Sequence, residues 1–310
     1  MGLKIINISS SFPKNFETIK HLKKSEGWEV DRVFNATGIN KRYISSSKED
    51  VLDLSIKSAK KILNRNNRKK VGFLIFVSQT SPYKFPSLSC ILQDKLDLPK
   101  DIFAIDVNMG CSGYIYAMKI ASSLNSLDNK KKFGLIICAD TYTKFIDKKN
   151  KSCRPIFSDA STTTLVKIYK DSKNEKYSFG VDGNGSKDLF LSNNSSNMFM
   201  NGPKIAIFTL NEIPTFLERF MKKCKINRNK VKYFCFHQAS KYICNNISRK
   251  LRLRNDQIFN NYQKYGNTIS SSIPLIFKDL IEKKKVKRND VIIACGFGVG
   301  LSWGVVKFRW

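Results

Sequence analysis

The chain has 310 residues, 42% of them hydrophobic, and carries 55 Lys and Arg against 25 Asp and Glu, a formal charge of +30. That length and apolar content suffice for one large domain or two fused halves, and they exclude disordered, collagenous and disulfide-stapled miniature classes. The basic excess bears on solubility and on attraction to acidic partners such as a phosphorylated cofactor or an acidic carrier protein, and a Lys-, Asn- and Ile-rich composition accounts for it equally well. It is spread along the whole chain without a zinc-finger, basic-zipper or RNP1 pattern, so nucleic acid is not an expected partner.

In chain order, LKIINIS, VGFLIFVSQ from Val71, IFAIDVN from Ile102 and FGLIICAD from Phe133 read as buried strands. Helical spacing marks DVLDLSIKSAKKIL from Asp50 and CSGYIYAMKIASSL from Cys111, the second apolar nearly all round and hence buried. A polar connection is expected between Tyr169 and Phe179, and an Asn/Ser-rich loop excursion from Asn184 on. The rhythm then repeats: strand VKYFCFH from Val231, basic helix SKYICNNISRKL from Ser240, strand-like QIFNN, and closing strands VIIACGFGVG and WGVVKFRW. Alternating strands and helices in two similar halves predict an α/β protein.

The eight cysteines form no CxxC pair and none sits at zinc-finger spacing from a histidine, so no structural metal is expected. Cys138 and Cys295 lie in apolar runs, where a free thiol acts as a small hydrophobe, which points to a reducing, cytoplasmic interior. The N-terminus MGLKIINISS has no export-signal pattern, and no apolar run approaches the roughly 20 residues that span a bilayer.

There are two histidines. His21 lies in a surface-like helical segment, TIKHLKK, whereas His237 ends a strand, where α/β proteins place their sites. Cys111, in DVNMGCSGY, follows an apolar strand and opens the buried helix, whose N-terminus favours a thiolate; by itself it reads equally as a nucleophile or a packed core cysteine. Asn267 in YGNTISSSIP reads alone as a turn or cap residue. The turn in GFGVGLSWG offers backbone N–H groups to an oxyanion.

Together, TGINKRYI at Thr37, FPS at Phe85, the Cys111 segment, FSDAS at Phe157, FHQAS at Phe236, YGNT at Tyr265 and the Gly-rich C-terminus resemble the β-ketoacyl-acyl carrier protein synthase III family of the thiolase superfamily. The resemblance implies a thiolase-like α/β fold in layered α-β-α-β-α order, with an N-terminal half, 1–172, carrying Cys111 and a C-terminal half, 173–310, carrying His237 and Asn267. It implies acyl transfer to Cys111 followed by decarboxylative Claisen condensation with a malonyl thioester. His237 and Asn267 would hold the thioester oxygen, the backbone N–H groups of Cys111 and Val299 the oxyanion hole, and Phe297 would keep the malonyl carboxylate poorly solvated. No permanent cofactor is implied; coenzyme A or acyl carrier protein thioesters are the substrates. The partners implied are an acidic acyl carrier protein, docking at Arg249 and Lys250, and a second copy of the chain, whose pocket Phe85 would close. No membrane partner is implied.

The chain departs from the family at its donor side. The Trp and Arg that sandwich adenine in the family are replaced by Arg32 and Ala36, with Trp28 one helical turn away. Lys151 keeps a basic residue before FSDAS, the Arg after HQAN is Tyr242 here, and the closing Gly-Gly-Gly reads Gly298, Val299 and Gly300, where a β-branched residue resists positive φ. An acyltransferase with a hydroxyl or amine acceptor, and a catalytically silent carrier-binding subunit, are the competing expectations.

Overall fold

The computed structural model describes residues 2–26, 29–124, 132–169, 175–192 and 194–310. Its strands are β1 (Gly2–Ser11), β2 (Asn15–Thr18), β3 (Lys41–Ile44), β4 (Val71–Val77), β5 (Phe103–Val107), β6 (Phe133–Asp140), β7 (Ala160–Tyr169), β8 (Lys176–Val181), β9 (Leu189–Phe190), β10 (Phe199–Met200), β11 (Val231–Phe236), β12 (Val291–Gly298) and β13 (Ser302–Arg309). One sheet has the order β1-β7-β6-β4-β5 and the other β11-β12-β13-β8. In each, parallel pairs (β6/β4/β5; β11/β12) continue into antiparallel ones.

The apolar runs are nearly continuous because both faces of each sheet are covered. In β4, Phe73, Ile75 and Val77 face a central core, where the helices Gly113–Ser123 and Ser272–Glu282 lie between the sheets. Alternate residues Leu74 and Phe76 face an outer core with the helices Val51–Lys60 and Leu88–Lys95. The second sheet repeats this: Tyr233, Cys235, Ile292 and Ala294 point inward, while Phe234, Phe236, Ile293 and Cys295 meet the helices Gly202–Lys223 and Lys241–Lys250. The result is the expected five-layer α-β-α-β-α order. The helix from Val51 starts where Asp50 accepts hydrogen bonds from the N–H groups of Leu52 and Asp53.

Three readings change. Two strands expected to be buried are not: β5 is one edge of its sheet, with Phe103 and Ile105 exposed, and β1 is the other edge, with Lys4, Ile6 and Asn7 exposed. QIFNN forms no strand, only a single bridge between Ile258 and Phe234 beside a short turn. The excursion after Asn184 contains a small antiparallel ladder, β9 with β10. The expected junction at residues 172 and 173 lies outside the described residues, as does Trp28. Among the described residues, no helix is long and apolar enough to cross a membrane.

Candidate active site

Between β5 and the central helix the chain turns through Gly110, with φ of 44°, into the short segment Gly110–Ser112. A Cβ at Gly110 would stand 2.3 Å from Gln79 Oε1, so only glycine satisfies both the turn and the contact. Cys111, 5% exposed, is crossed by β12: a Cβ at Gly296 would lie 2.7 Å from its carbonyl oxygen and one at Gly298 2.9 Å from its Sγ. The backbone N–H groups of Cys111 and Val299 lie beside the sulfur and favour its charged form. Burial and the nearby Asp140 carboxyl outweigh them and push the resting thiol well above its ordinary pKa. The thiolate expected from the helix N-terminus is therefore not the resting state.

The turn carrying Val299 is anchored to the nucleophile's own turn. Ser302 Oγ donates to the Val299 carbonyl at 2.8 Å and meets Ser112 Oγ at 2.8 Å. The positive φ falls on Gly300, at 136°, so Val299 is not forced into the conformation that β-branched residues resist.

His237 leaves the end of β11 with its backbone N–H bonded to Cys295 O of β12, and its ring meets that of Phe297 edge-on, centroids 5.5 Å apart. The neighbouring Gln238 fixes this end of the strand: its Nε2 donates to Phe236 O, and its Oε1 accepts the N–H groups of Asn261 and Tyr262. Ser240 then caps the helix Lys241–Lys250. Only 2% exposed, His237 has its pKa lowered by burial to about 3, so it is neutral at physiological pH. Its buried Nδ1 has no partner, and among the described residues Nε2 has none either.

Gln238 thereby also holds the start of the segment that delivers Asn267. Asn267 is tied to the FSDAS segment on both sides, donating to Ile156 O at 3.0 Å and accepting from Ser158 N at 2.9 Å. Its side-chain Oδ1 accepts from Ile269 N at 3.0 Å, so the amide nitrogen, without a partner among the described residues, is the group left to meet a ligand. Ile269, at φ 50°, is a strained β-branched residue, and it packs in one apolar cluster with Cys111. Asp140 stabilises this turn from below: one carboxyl oxygen accepts from Gln79 N at 2.8 Å, and the other accepts from the backbone and hydroxyl of Ser270. Burial lifts the pKa of Asp140 to about 7.

Cys111, Val299, Phe297, His237 and Asn267 therefore converge through β12 and the Ile269–Ser271 turn. The remaining expected residues lie outside this centre. Arg32 is exposed and, among the described residues, reaches only Glu29, at 3.9 Å; Lys151 is exposed. Arg249 and Lys250 are exposed at the end of the helix that begins just after His237. Phe85 is 84% exposed.

Asp140 is a residue that motif reading overlooked, its signal a carboxylate ending the apolar strand FGLIICAD, and the tethering roles of Gln238 within FHQAS and Ser302 within GFGVGLSWG went unread. Asp159 is a tether, accepting from the N–H groups of Ser45 and Thr143. Beside the nucleophile opens a cavity of about 430 Å³ whose wall includes Gln79, Tyr142, Leu189, Met198 and Val299. Among the described residues no three His, Cys, Asp or Glu side chains gather as a metal centre, and all eight cysteines are free.

Residues 105–183 match the family described as 3-oxoacyl-[acyl-carrier-protein (ACP)] synthase III, and residues 221–310 match its C-terminal counterpart. The chain is similar over its full length to the β-ketoacyl-[acyl-carrier-protein] synthase III of Aquifex aeolicus, at 30% identity over 100% of both chains. It is 27% identical to that of Oceanobacillus iheyensis, over 100% of this chain and 99% of the relative. A 2.1 Å crystal structure of a 3-oxoacyl-(acyl-carrier-protein) synthase III superposes with a TM-score of 0.93 at 26% identity, covering 100% of both chains.

Proposed function

Because the chain belongs to the 3-oxoacyl-[acyl-carrier-protein] synthase III family, we infer that it is an acyl-thioester condensing enzyme that joins an acyl group to a malonyl thioester. The observation that carries the assignment of residues is the pair of unpartnered side-chain nitrogens, on His237 and Asn267, packed around the same strand and turn as a buried Cys111.

Cys111 Sγ attacks the donor thioester; its bond to carbon forms, the donor sulfur leaves, and the thiol proton departs with it. The N–H groups of Cys111 and Val299, which favour negative charge beside the sulfur, receive the carbonyl oxygen in both acyl-transfer steps. The malonyl thioester oxygen then accepts from Asn267 Nδ2 and from neutral His237 acting through a protonated Nε2. The C–C bond to the carboxylate breaks, carbon dioxide leaves, and the electron pair passes into an enolate whose oxygen those two donors stabilise. Phe297, beside His237, supports this by denying the carboxylate water. The enolate carbon attacks the acyl carbonyl, and Cys111 sulfur leaves and takes up a proton.

The donor side supports a carrier-protein thioester over coenzyme A. Arg32 is a solvated side chain paired, among the described residues, only with Glu29, and Ala36 offers no guanidinium to stack on adenine. Exposed Arg249 and Lys250 suit an acidic carrier protein, whose approach the +30 charge would accelerate. The assembly we infer is a homodimer, supported by the exposed edge of β5 with Phe103 and Ile105 and by the exposed Phe85. The free cysteines fit a cytoplasmic enzyme. The test is intact-protein mass spectrometry with acyl-coenzyme A and acyl-carrier-protein donors: a mass gain on wild type and none on Cys111→Ala is expected, and no gain from any donor would contradict the assignment.

A further inference from the structure

The cavity beside Cys111 is not lined as a slot for a plain alkyl chain. Leu189, Met198 and Val299 supply apolar wall, but Gln79, Thr80 and Tyr142 face it as well, and among the described residues no charged side chain contributes to its lining. The buried Tyr142 hydroxyl donates to Gln79 Oε1 at 2.6 Å. Burial, with Asp140 and Cys111 close by, holds that phenol well above its ordinary pKa, so it remains a donor.

The Gln79 backbone N–H is spent on Asp140, and its side-chain Oε1, which accepts from Tyr142, rests over Gly110, the residue before the nucleophile. What remains is the amide nitrogen, which has no hydrogen-bond partner among the described residues. An alkyl chain filling the cavity would strip water from that N–H group and return nothing, whereas an oxygen on the acyl chain would satisfy it. A carboxylate would find no counter-ion among the described residues of the wall.

We propose that the Gln79–Tyr142 pair selects an acyl group bearing an uncharged hydrogen-bond acceptor, a hydroxyl or keto oxygen, within its first few carbons, in preference to the alkyl acyl group of the same length. The proposal rests on Cys111 being the acylated residue and adds the class of acyl group. The position of the oxygen follows from the position of Gln79 on Gly110.

The test offers the full-length protein equal amounts of butyryl and 3-hydroxybutyryl donors, both enantiomers in turn and both as coenzyme A and carrier-protein thioesters, and reads the two Cys111 adducts by mass. One neutral hydrogen bond from half-buried Gln79, once the bound chain has displaced its water, is worth about tenfold, so the hydroxyacyl adduct of one enantiomer is expected to form about ten times faster. Gln79→Leu should bring that ratio toward one. Tyr142→Phe, which frees the amide to rotate, should reduce it in part. Equal rates or a butyryl preference in the wild type would overturn the selection while leaving acylation standing. Absence of any adduct would instead contradict acylation at Cys111, and the proposal with it.

Discussion

The centre around Cys111 and the surface around Arg32 are built in opposite ways. At the centre the backbone is tied on every side: Asn267 by Ile156, Ser158 and Ile269, the end of β11 by Gln238, and the two turns around Cys111 and Val299 through Ser112 and Ser302. At the surface Arg32 is 87% exposed and has one distant ion pair. Two walls packed at interior density leave catalytic geometry little freedom, whereas a solvated side chain constrains nothing around it. The residues proposed for chemistry thus lie in the interior, whereas Arg32, proposed for the donor side, lies in solvent.

The largest effect that would break this contrast is loss of the central donors. Cys111→Ala should abolish the acyl adduct, and Asn267→Ala should slow condensation by about a hundredfold or more while acylation of Cys111 persists, since one oxyanion donor is commonly worth that much. Loss of both steps together in Asn267→Ala would show that Asn267 serves the nucleophile rather than the second substrate.

Next come the glycines of β12. Gly298→Ala places a Cβ 2.8 Å from Cys111 Cβ and 2.9 Å from its Sγ, so it should cut acylation sharply besides lowering stability by about 1–3 kcal/mol. Gly296→Ala meets backbone atoms of Cys111 and Ser112 and should lower stability by about 1–3 kcal/mol. Thermal melts beside adduct rates distinguish the two.

The buried carboxyl sharpens the comparison through pH. Asp140 has a folded pKa of about 7, above its ordinary value of 3.8, so the stability it contributes is present below pH 4 and is lost as pH rises through 7. Relative to wild type, Asp140→Asn should gain about 4 kcal/mol of stability between those limits, read from denaturant melts at each pH. His237 behaves oppositely: its pKa is lowered from 6.5 to about 3, so its contribution is present above 6.5 and is lost as pH falls toward 3. The smallest effect belongs to the surface, where Arg32→Ala should change the rate with carrier-protein donors by less than about twofold.

Much of the fold was legible because coverage on both sheet faces leaves its mark as runs such as VGFLIFV and VIIACGFG. The edge position of β5 was not, since an apolar run reads alike whether its exposed face meets water or a second chain. At the site, Cys111, His237 and Asn267 stood out by scarcity and motif. Asp140, Gln238 and Ser302 did not, because their roles depend on contacts across long sequence separations, as between Asp140 and Ser270 or Ser112 and Ser302. Neither could the sequence weigh burial of Cys111 against its helix N-terminus, a balance decided by how closely β12 crosses it.

The most direct test supplies an acyl donor that labels Cys111, adds malonyl carrier protein, and follows carbon dioxide release together with the mass of the carrier-bound product. Stoichiometric carbon dioxide and a β-ketoacyl product, both lost in Asn267→Ala, are the expected result. An acyl-enzyme that forms but releases no carbon dioxide, and passes its acyl group to a hydroxyl or amine instead, would contradict the condensing mechanism.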